Sequence, residues 1–146
     1  MVSTTGCYKT CPVLDVKLYK NTVYYNLLEF NNKVGVYKYE LTLRDFNELN
    51  RLIDNLDIDS LKKEYASNTP DVQVYNTSFV YKGKKKEVFF FENECPKDYQ
   101  DLIKYLINLK SNQVSKIDTV LNFETRLRIP FEKKNIPPIP DDTLGM

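Results

Sequence analysis

The stretch VGVYKYELTLRDFNELNRLIDNL, residues 34–56, decides the fold because its hydrophobic period changes near the middle. From 34 to 41 the side chains alternate as in a β-strand, with tyrosines on one face. Thr42 followed by Asp45 resembles a capping box, which marks the start of a helix. Apolar side chains then recur at helical spacing, at Phe46, Leu49, Leu52, Ile53 and Leu56. The stretch therefore predicts a strand followed by a helix over about 43–56.

Two pairs of alternating runs on either side of this stretch predict β-hairpins. Runs 13–19 and 22–30 are separated by Lys20-Asn21, a pair suited to a tight turn. Runs 72–81 and 85–91 face each other around a Lys-Gly-Lys turn. The end of the second pair, Val-Phe-Phe-Phe, is apolar on both faces, which predicts a central strand.

A second helix is predicted after Cys95-Pro96, because proline suits the first helical position. Its buried stripe consists of Tyr99, Leu102, Ile103, Leu106 and Leu109. Residues 57–65 favour a short further turn of helix, and 117–128 favour a strand or edge segment. The prolines after 136 predict an irregular tail.

These elements predict an α+β fold in the order β-β-β-α-β-β-α. We expect an antiparallel sheet of about five strands, two helices packed on one face, and an irregular Pro-rich C-terminal tail. Residues 1–112 would form a single domain, and 113–146 a C-terminal extension that is partly extended or mobile. A chain of 146 residues can bury a hydrophobic core without help from metal or disulfides.

The composition argues against most enzymes and metal sites. The chain has no histidine, which removes the commonest general base and the commonest metal ligand. We therefore expect a protein that is not an enzyme, with no catalytic residue, no metal and no cofactor. A net charge of +1 argues against nucleic-acid binding, and the basic run 82–86 fits a solvated turn. No apolar run is long enough for a transmembrane segment, and the first seven residues lack a signal peptide's hydrophobic region.

Three cysteines are the candidates for covalent chemistry. Cys7 and Cys11 are close enough in sequence to form a disulfide in a turn, and a structural disulfide is favoured over a redox pair or a zinc site. Cys95 is expected at a helix N-terminus, where the dipole would favour a reactive thiolate. A thiol-dependent enzyme or redox sensor that uses Cys95 or the Cys7/Cys11 pair is therefore the alternative to a binding function.

Tyrosine-rich strands favour a partner-binding role. Tyrosine is enriched at protein interfaces, so an exposed sheet face or the Pro-rich tail would serve to bind an unknown protein or peptide. An inhibitor or immunity-type protein would use the same kind of surface. The tyrosines expected on this interaction surface are Tyr24, Tyr25, Tyr37, Tyr39, Tyr75 and Tyr81.

The N-terminal segment Cys7-Tyr8-Lys9-Thr10-Cys11-Pro12, followed by an alternating strand, resembles an uncharacterised bacterial domain family. The opening motif of that family is similar to Cys-aromatic-Gly-Thr-Cys-Pro, and Lys9 stands at the glycine position. The resemblance extends to about Lys110. It implies an exported protein, periplasmic or anchored in the cell envelope, often as a lipoprotein, and it implies no activity. The leading hypothesis is thus a non-enzymatic binding module of the cell envelope.

Overall fold

Two-residue turns with left-handed backbone build the hairpins of the sheet. Lys20 (φ 55°) closes the first hairpin, and Lys82 (φ 49°) and Gly83 (φ 76°) close the second. In the second turn both central residues have a positive φ, which gives a turn whose twist matches that of the flanking strands. The Lys82-Gly83 turn therefore fixes the register in which Tyr81 pairs with Lys84.

A computed structural model describes residues 1–7, 10–68 and 71–127. The predicted α+β class is confirmed, and the two main helices begin within a few residues of the predicted positions. The elements are β1 (Val2–Thr4), β2 (Leu14–Tyr19), β3 (Thr22–Leu27), β4 (Gly35–Glu40), α1 (Leu43–Asp54), a 3-10 turn (Ile58–Ser60), β5 (Glu64–Tyr65), β6 (Val74–Tyr81), β7 (Lys84–Phe91), α2 (Lys97–Asn108), a second 3-10 turn (Leu109–Ser111), β8 (Ser115–Lys116) and α3 (Glu124–Leu127).

The sheet has eight strands in the order β5-β7-β6-β1-β2-β3-β4-β8, rather than the expected five. It is also mixed, because β5 pairs in parallel with β7 while the other pairs are antiparallel. The additional strands are two or three residues long, too short for their pattern to be recognised in the sequence. Strand β7, which the sequence predicted to be central, lies second from the edge.

Strand β1 joins the two hairpins into one sheet. Val2 pairs with Val16 of β2 on one side and with Thr77 of β6 on the other. All three residues of β1 are buried. The N-terminal segment therefore occupies the centre of the sheet, and the two hairpins have no direct ladder between them.

The sheet has two faces with different coverings. The first, called here the helix face, carries Val2, Val16 and Tyr25, which pack with Tyr99 and Ile103 of α2 in the hydrophobic core. The opposite face, called here the second face, carries the side chains of the intervening residues, because successive side chains of a strand point to opposite faces. It carries Ser3, Asp15, Tyr24, Asn26 and Asn76.

Helix α1 begins with the predicted capping box. The Thr42 hydroxyl accepts a hydrogen bond from the Asp45 backbone N–H at 3.1 Å, and the Asp45 carboxylate accepts one from the Thr42 N–H at 3.0 Å. Of the predicted apolar stripe, Leu49 is buried, whereas Phe46 is 44% exposed. Part of the stripe thus remains at the surface beside the adjoining Leu43.

Two elements between residues 113 and 127 pair with or pack on the rest of the protein. Strand β8 adds to the edge of β4, and α3 packs on β1 and β6 over the second face. The strand expected over 117–128 is wrong for the described part of that range, 117–127: β8 already ends at Lys116, and Glu124–Leu127 is a short helix. The predicted Pro-rich tail lies outside the described residues.

Candidate functional site

Cys7 and Cys11 form a disulfide just before β2. Their Cα atoms are 5.5 Å apart and their sulfur atoms 2.00 Å apart. The bond closes a short loop between the central strand β1 and the first hairpin. Its position is that of a structural link at the start of a strand.

Cys95 lies one residue before Pro96, the N-cap of α2, and it is buried. Burial raises the pKa of the Cys95 thiol to about 11, and the weaker effects of hydrogen bonds and Lys104 lower it only in part. The thiol is therefore protonated at neutral pH, because desolvation outweighs the hydrogen bonds and the charge of Lys104. This environment is the opposite of the one that a nucleophilic cysteine needs.

The described residues contain neither a metal-binding cluster nor a membrane-spanning helix. No group of three or more Cys, Asp or Glu side chains in residues 1–7, 10–68 and 71–127 is arranged to hold a metal ion. Within the same ranges, no helix combines the length and the hydrophobicity that crossing a bilayer requires.

The six tyrosines expected on one surface are divided between the two faces and the core. Tyr25 is 0% exposed and Tyr75 is 5% exposed, so the expectation that they form an interaction surface is wrong. Tyr25 donates a hydrogen bond to the Leu106 carbonyl, and Tyr75 stacks on Phe90 with ring centroids 4.7 Å apart. The half-buried tyrosines are Tyr24 on the second face and Tyr37, Tyr39 and Tyr81 on the helix face.

A groove of about 1030 Å³ lies between α1 and α2. The first turns of α1 form one wall, and Tyr105, Asn108 and the 3-10 turn that follows α2 form the other. A smaller hollow of about 340 Å³ adjoins it at Leu43 and includes Phe46. Together they form one continuous surface with an apolar end and a polar end.

At the base of the groove, Asp45 is held by the hydroxyls of two tyrosines. Tyr39 donates to Oδ2 at 2.5 Å, and Tyr105 to Oδ1 at 3.3 Å. Burial raises the pKa of Asp45, but hydrogen bonds from Tyr39, Thr42 and Tyr105 outweigh that effect and lower the pKa below its usual value. Asp45 is thus an ionised helix cap with its acceptor sites in use, which makes it unsuited to act as a general base.

The polar end of the groove carries charges of both signs. Arg51 forms a bidentate ion pair with Glu48 across one helical turn, which holds the pKa of Glu48 below its usual value. Arg44 is exposed and has no ion-pair partner in the part of the chain that the structure describes. The groove therefore offers one cation to a ligand.

Three asparagines, Asn47, Asn108 and Asn112, also line the groove and are exposed. Each amide can donate and accept hydrogen bonds, as the main chain of a bound peptide requires.

The sequence did not predict these groove residues as a site. Asn108 ends the second helix and Asn112 follows the 3-10 turn after it, and nothing in their local pattern points toward α1, which is distant in sequence. The sequence did contain one indication of the site, the apolar pair Leu43 and Phe46 in the first turn of α1. This pair makes the apolar stripe of the helix wider than a single core-facing side requires.

The comparison with protein families matches residues 1–110 to the domain of unknown function DUF6438. The chain belongs to the DUF6438 family. The resemblance to an uncharacterised domain family is thereby confirmed, and the match carries no activity. No curated protein and no solved structure matches the chain. The matched residues include both helices and most of the groove, but they leave out Asn112 and the segment with β8 and α3.

Proposed function

We propose that this DUF6438 domain is a non-enzymatic module that binds a protein or peptide segment in the groove between α1 and α2. The observation that carries the proposal is the continuous surface on which the exposed apolar side chains of Leu43 and Phe46 meet the polar groove. Apolar anchors beside convergent polar groups are typical of recognition sites.

The chemistry of the groove favours an extended peptide with an apolar residue next to a carboxylate. Leu43 is 77% exposed and would be buried by an apolar side chain of the ligand. Arg44 is the neighbouring cation and would pair with the carboxylate. The amides of Asn47, Asn108 and Asn112 would bind the ligand's main chain.

We further propose that the protein works at the bacterial cell envelope. The Cys7–Cys11 disulfide supports this proposal, since disulfides persist in oxidising compartments and are rare in the cytosol. An inhibitor or immunity-type protein would be a specialised form of the same binding function. The thiol-dependent alternative has less support, because Cys7 and Cys11 are paired and the Cys95 thiol is buried with a raised pKa.

The test is selection of ligands from a displayed random-peptide library on the immobilised full chain, followed by fluorescence anisotropy with the selected peptides. Burying a leucine side chain stabilises by about 1.5–3 kcal/mol, so Leu43→Asp should weaken binding at least tenfold. Asn108→Ala should weaken it as well. The matched control is Val34→Asp, which places the same charge at an apolar side chain that is 70% exposed, just before β4 and away from the groove.

The control variant should bind within about twofold of the unchanged chain. The proposal is overturned if no peptide is selected, or if selected peptides bind equally well to Leu43→Asp and Asn108→Ala. Selection of peptides that react covalently with Cys95 would favour the thiol-dependent alternative instead.

A further inference from the structure

The second face of the sheet contains a buried carboxylate at its centre. Asp15 of β2 is 2% exposed, although it lies on the face opposite α1 and α2. Its Oδ1 accepts a hydrogen bond from the Ser3 hydroxyl at 2.7 Å, and its Oδ2 accepts one from the Asn26 amide at 3.1 Å. Neighbouring strands therefore hold the carboxylate in a fixed orientation, which suits it to bind a cation.

The cation in this pocket is the guanidinium of Arg126. Its Nε donates to Asp15 Oδ1 at 2.9 Å, and its Nη2 donates to the carbonyls of Thr4 at 2.7 Å and Leu14 at 3.0 Å. A guanidinium presents several donors in a fixed planar fork, whereas a lysine ammonium is a single charged centre. Three acceptors from two adjacent strands thus match an arginine and would leave a lysine incompletely bonded.

The residue before the arginine is also recognised. The Thr125 hydroxyl shares a hydrogen bond of 2.7 Å with the Ser3 hydroxyl, and the Thr125 carbonyl accepts from the Asn76 amide at 2.8 Å. Phe123 is buried nearby, at 5% exposure. The pocket therefore contacts side chain and main chain of a short segment, as a peptide-binding site does.

The pocket and the segment that fills it come from different parts of the chain. All the receptor residues lie within the DUF6438 match, whereas Thr125 and Arg126 lie beyond its end. Helix α3 has four residues, fewer than a helix needs for stability of its own, so the segment depends on these contacts. Residues 118–120, which lead to it, are exposed.

We propose that the pocket formed by Ser3, Thr4, Leu14, Asp15 and Asn76 is an arginine-binding site of the domain, occupied in cis by Arg126, and that it takes an arginine-bearing peptide of another molecule by exchange. The site is separate from the groove between α1 and α2, because it lies on the opposite face of the sheet. The cis segment sets the affinity, since an external peptide binds only the fraction of molecules in which the pocket is vacant.

The test uses the full chain and a fluorescein-labelled peptide, LNFETRL, that repeats residues 121–127. In Arg126→Ala the pocket loses its internal guanidinium, so the peptide should bind this variant at least tenfold more tightly than the unchanged chain. The matched control peptide has lysine in place of arginine and should bind at least tenfold more weakly. Adding Asp15→Asn to Arg126→Ala should abolish binding of both peptides.

A second variant, Arg126→Lys, keeps a positive charge beside Asp15 and guards against loss of the fold. The labelled peptide should displace this lysine, and circular dichroism checks that each variant is folded. Three results would overturn the proposal: no saturable binding to either folded variant, equal binding of the arginine and lysine peptides, or equal binding to the unchanged chain and Arg126→Ala. Failure of both variants to fold would also overturn it, because the segment would then be a fixed part of the core. Leu43→Asp should not change these results, so they are independent of the proposed groove.

Discussion

Asp15 and Arg126 form an ion pair, and their contributions to the free energy of unfolding should be strongly coupled. The two side chains are 3% and 21% exposed, so both are largely removed from water. Removing one partner of a buried pair costs about 3–5 kcal/mol because the other charge stays buried. Arg126→Ala leaves Asp15 with hydrogen bonds from Ser3 and Asn26, so we expect the lower end of that range, about 3 kcal/mol.

The reverse change should cost less. Asp15→Asn leaves the guanidinium with the two carbonyls of Thr4 and Leu14, and Arg126 retains some contact with water. We expect a loss of about 1–2 kcal/mol for this variant. The double variant should be more stable than the sum of the single losses implies, by about 1–2 kcal/mol, because residues in direct contact are not additive. The difference between the loss in the double variant and the sum of the two single losses measures the ion pair separately from any other contact of Arg126.

The assay is urea unfolding of the four proteins, followed by circular dichroism, with thermal melting as a second measurement. At about 2–4 °C per kcal/mol, Arg126→Ala should melt about 6–12 °C lower. Small domains have about 5–15 kcal/mol of stability, so the variant should still fold. Arg51→Ala is the control, since it breaks an exposed pair with Glu48 and should change the midpoint little. If Arg126→Ala and Arg51→Ala have equal midpoints, the assignment of a buried ion pair is refuted.

Three further predictions concern the Cys7–Cys11 disulfide, the Cys95 thiol and the cap of α1. The double variant Cys7→Ser/Cys11→Ser should lose about 2 kcal/mol of unfolding free energy, since the disulfide closes a loop of about five residues, and reductant should lower the unchanged chain to the same value. Native Cys95 should resist iodoacetamide at pH 8, because burial raises its pKa to about 11, and should react after denaturation; labelling at the rate of a free thiol would contradict this. Because the folded pKa lies above the unfolded one, the stability from keeping this thiol neutral should be present below about pH 8.5 and lost as the pH rises toward 11. Thr42→Ala should cost about 1 kcal/mol through loss of the cap of α1, whereas Thr119→Ala at an exposed position should have a smaller effect; equal effects would contradict the capping box.

Local patterns predicted those parts of the fold that depend on neighbouring residues. The change of period at Thr42 gave α1, and turn residues such as Lys82 and Gly83 gave the hairpins, because each signal lies within the element that it specifies. The disulfide candidate also followed from spacing, since Cys7 and Cys11 are four positions apart. The candidate groove did not follow, because its walls come from two helices that are distant in sequence.

The expected tyrosine surface shows why composition does not tell which tyrosines of a strand are exposed. Tyr24 and Tyr25 are adjacent, so a strand must place them on opposite faces, and the sequence does not say which face the helices cover. The packing of α2 decided that Tyr25 and Tyr75 belong to the core.

The sequence alone thus determined the class of the fold, the hairpins, the two main helices and a histidine-free set of functional groups, because these depend on composition and on contacts between near neighbours. The tertiary structure alone decided that Val2–Thr4 is the central strand and that Asp15 meets Arg126 across 111 positions. A three-residue strand has no periodicity to detect, and a contact between distant residues depends on how the whole sheet is assembled.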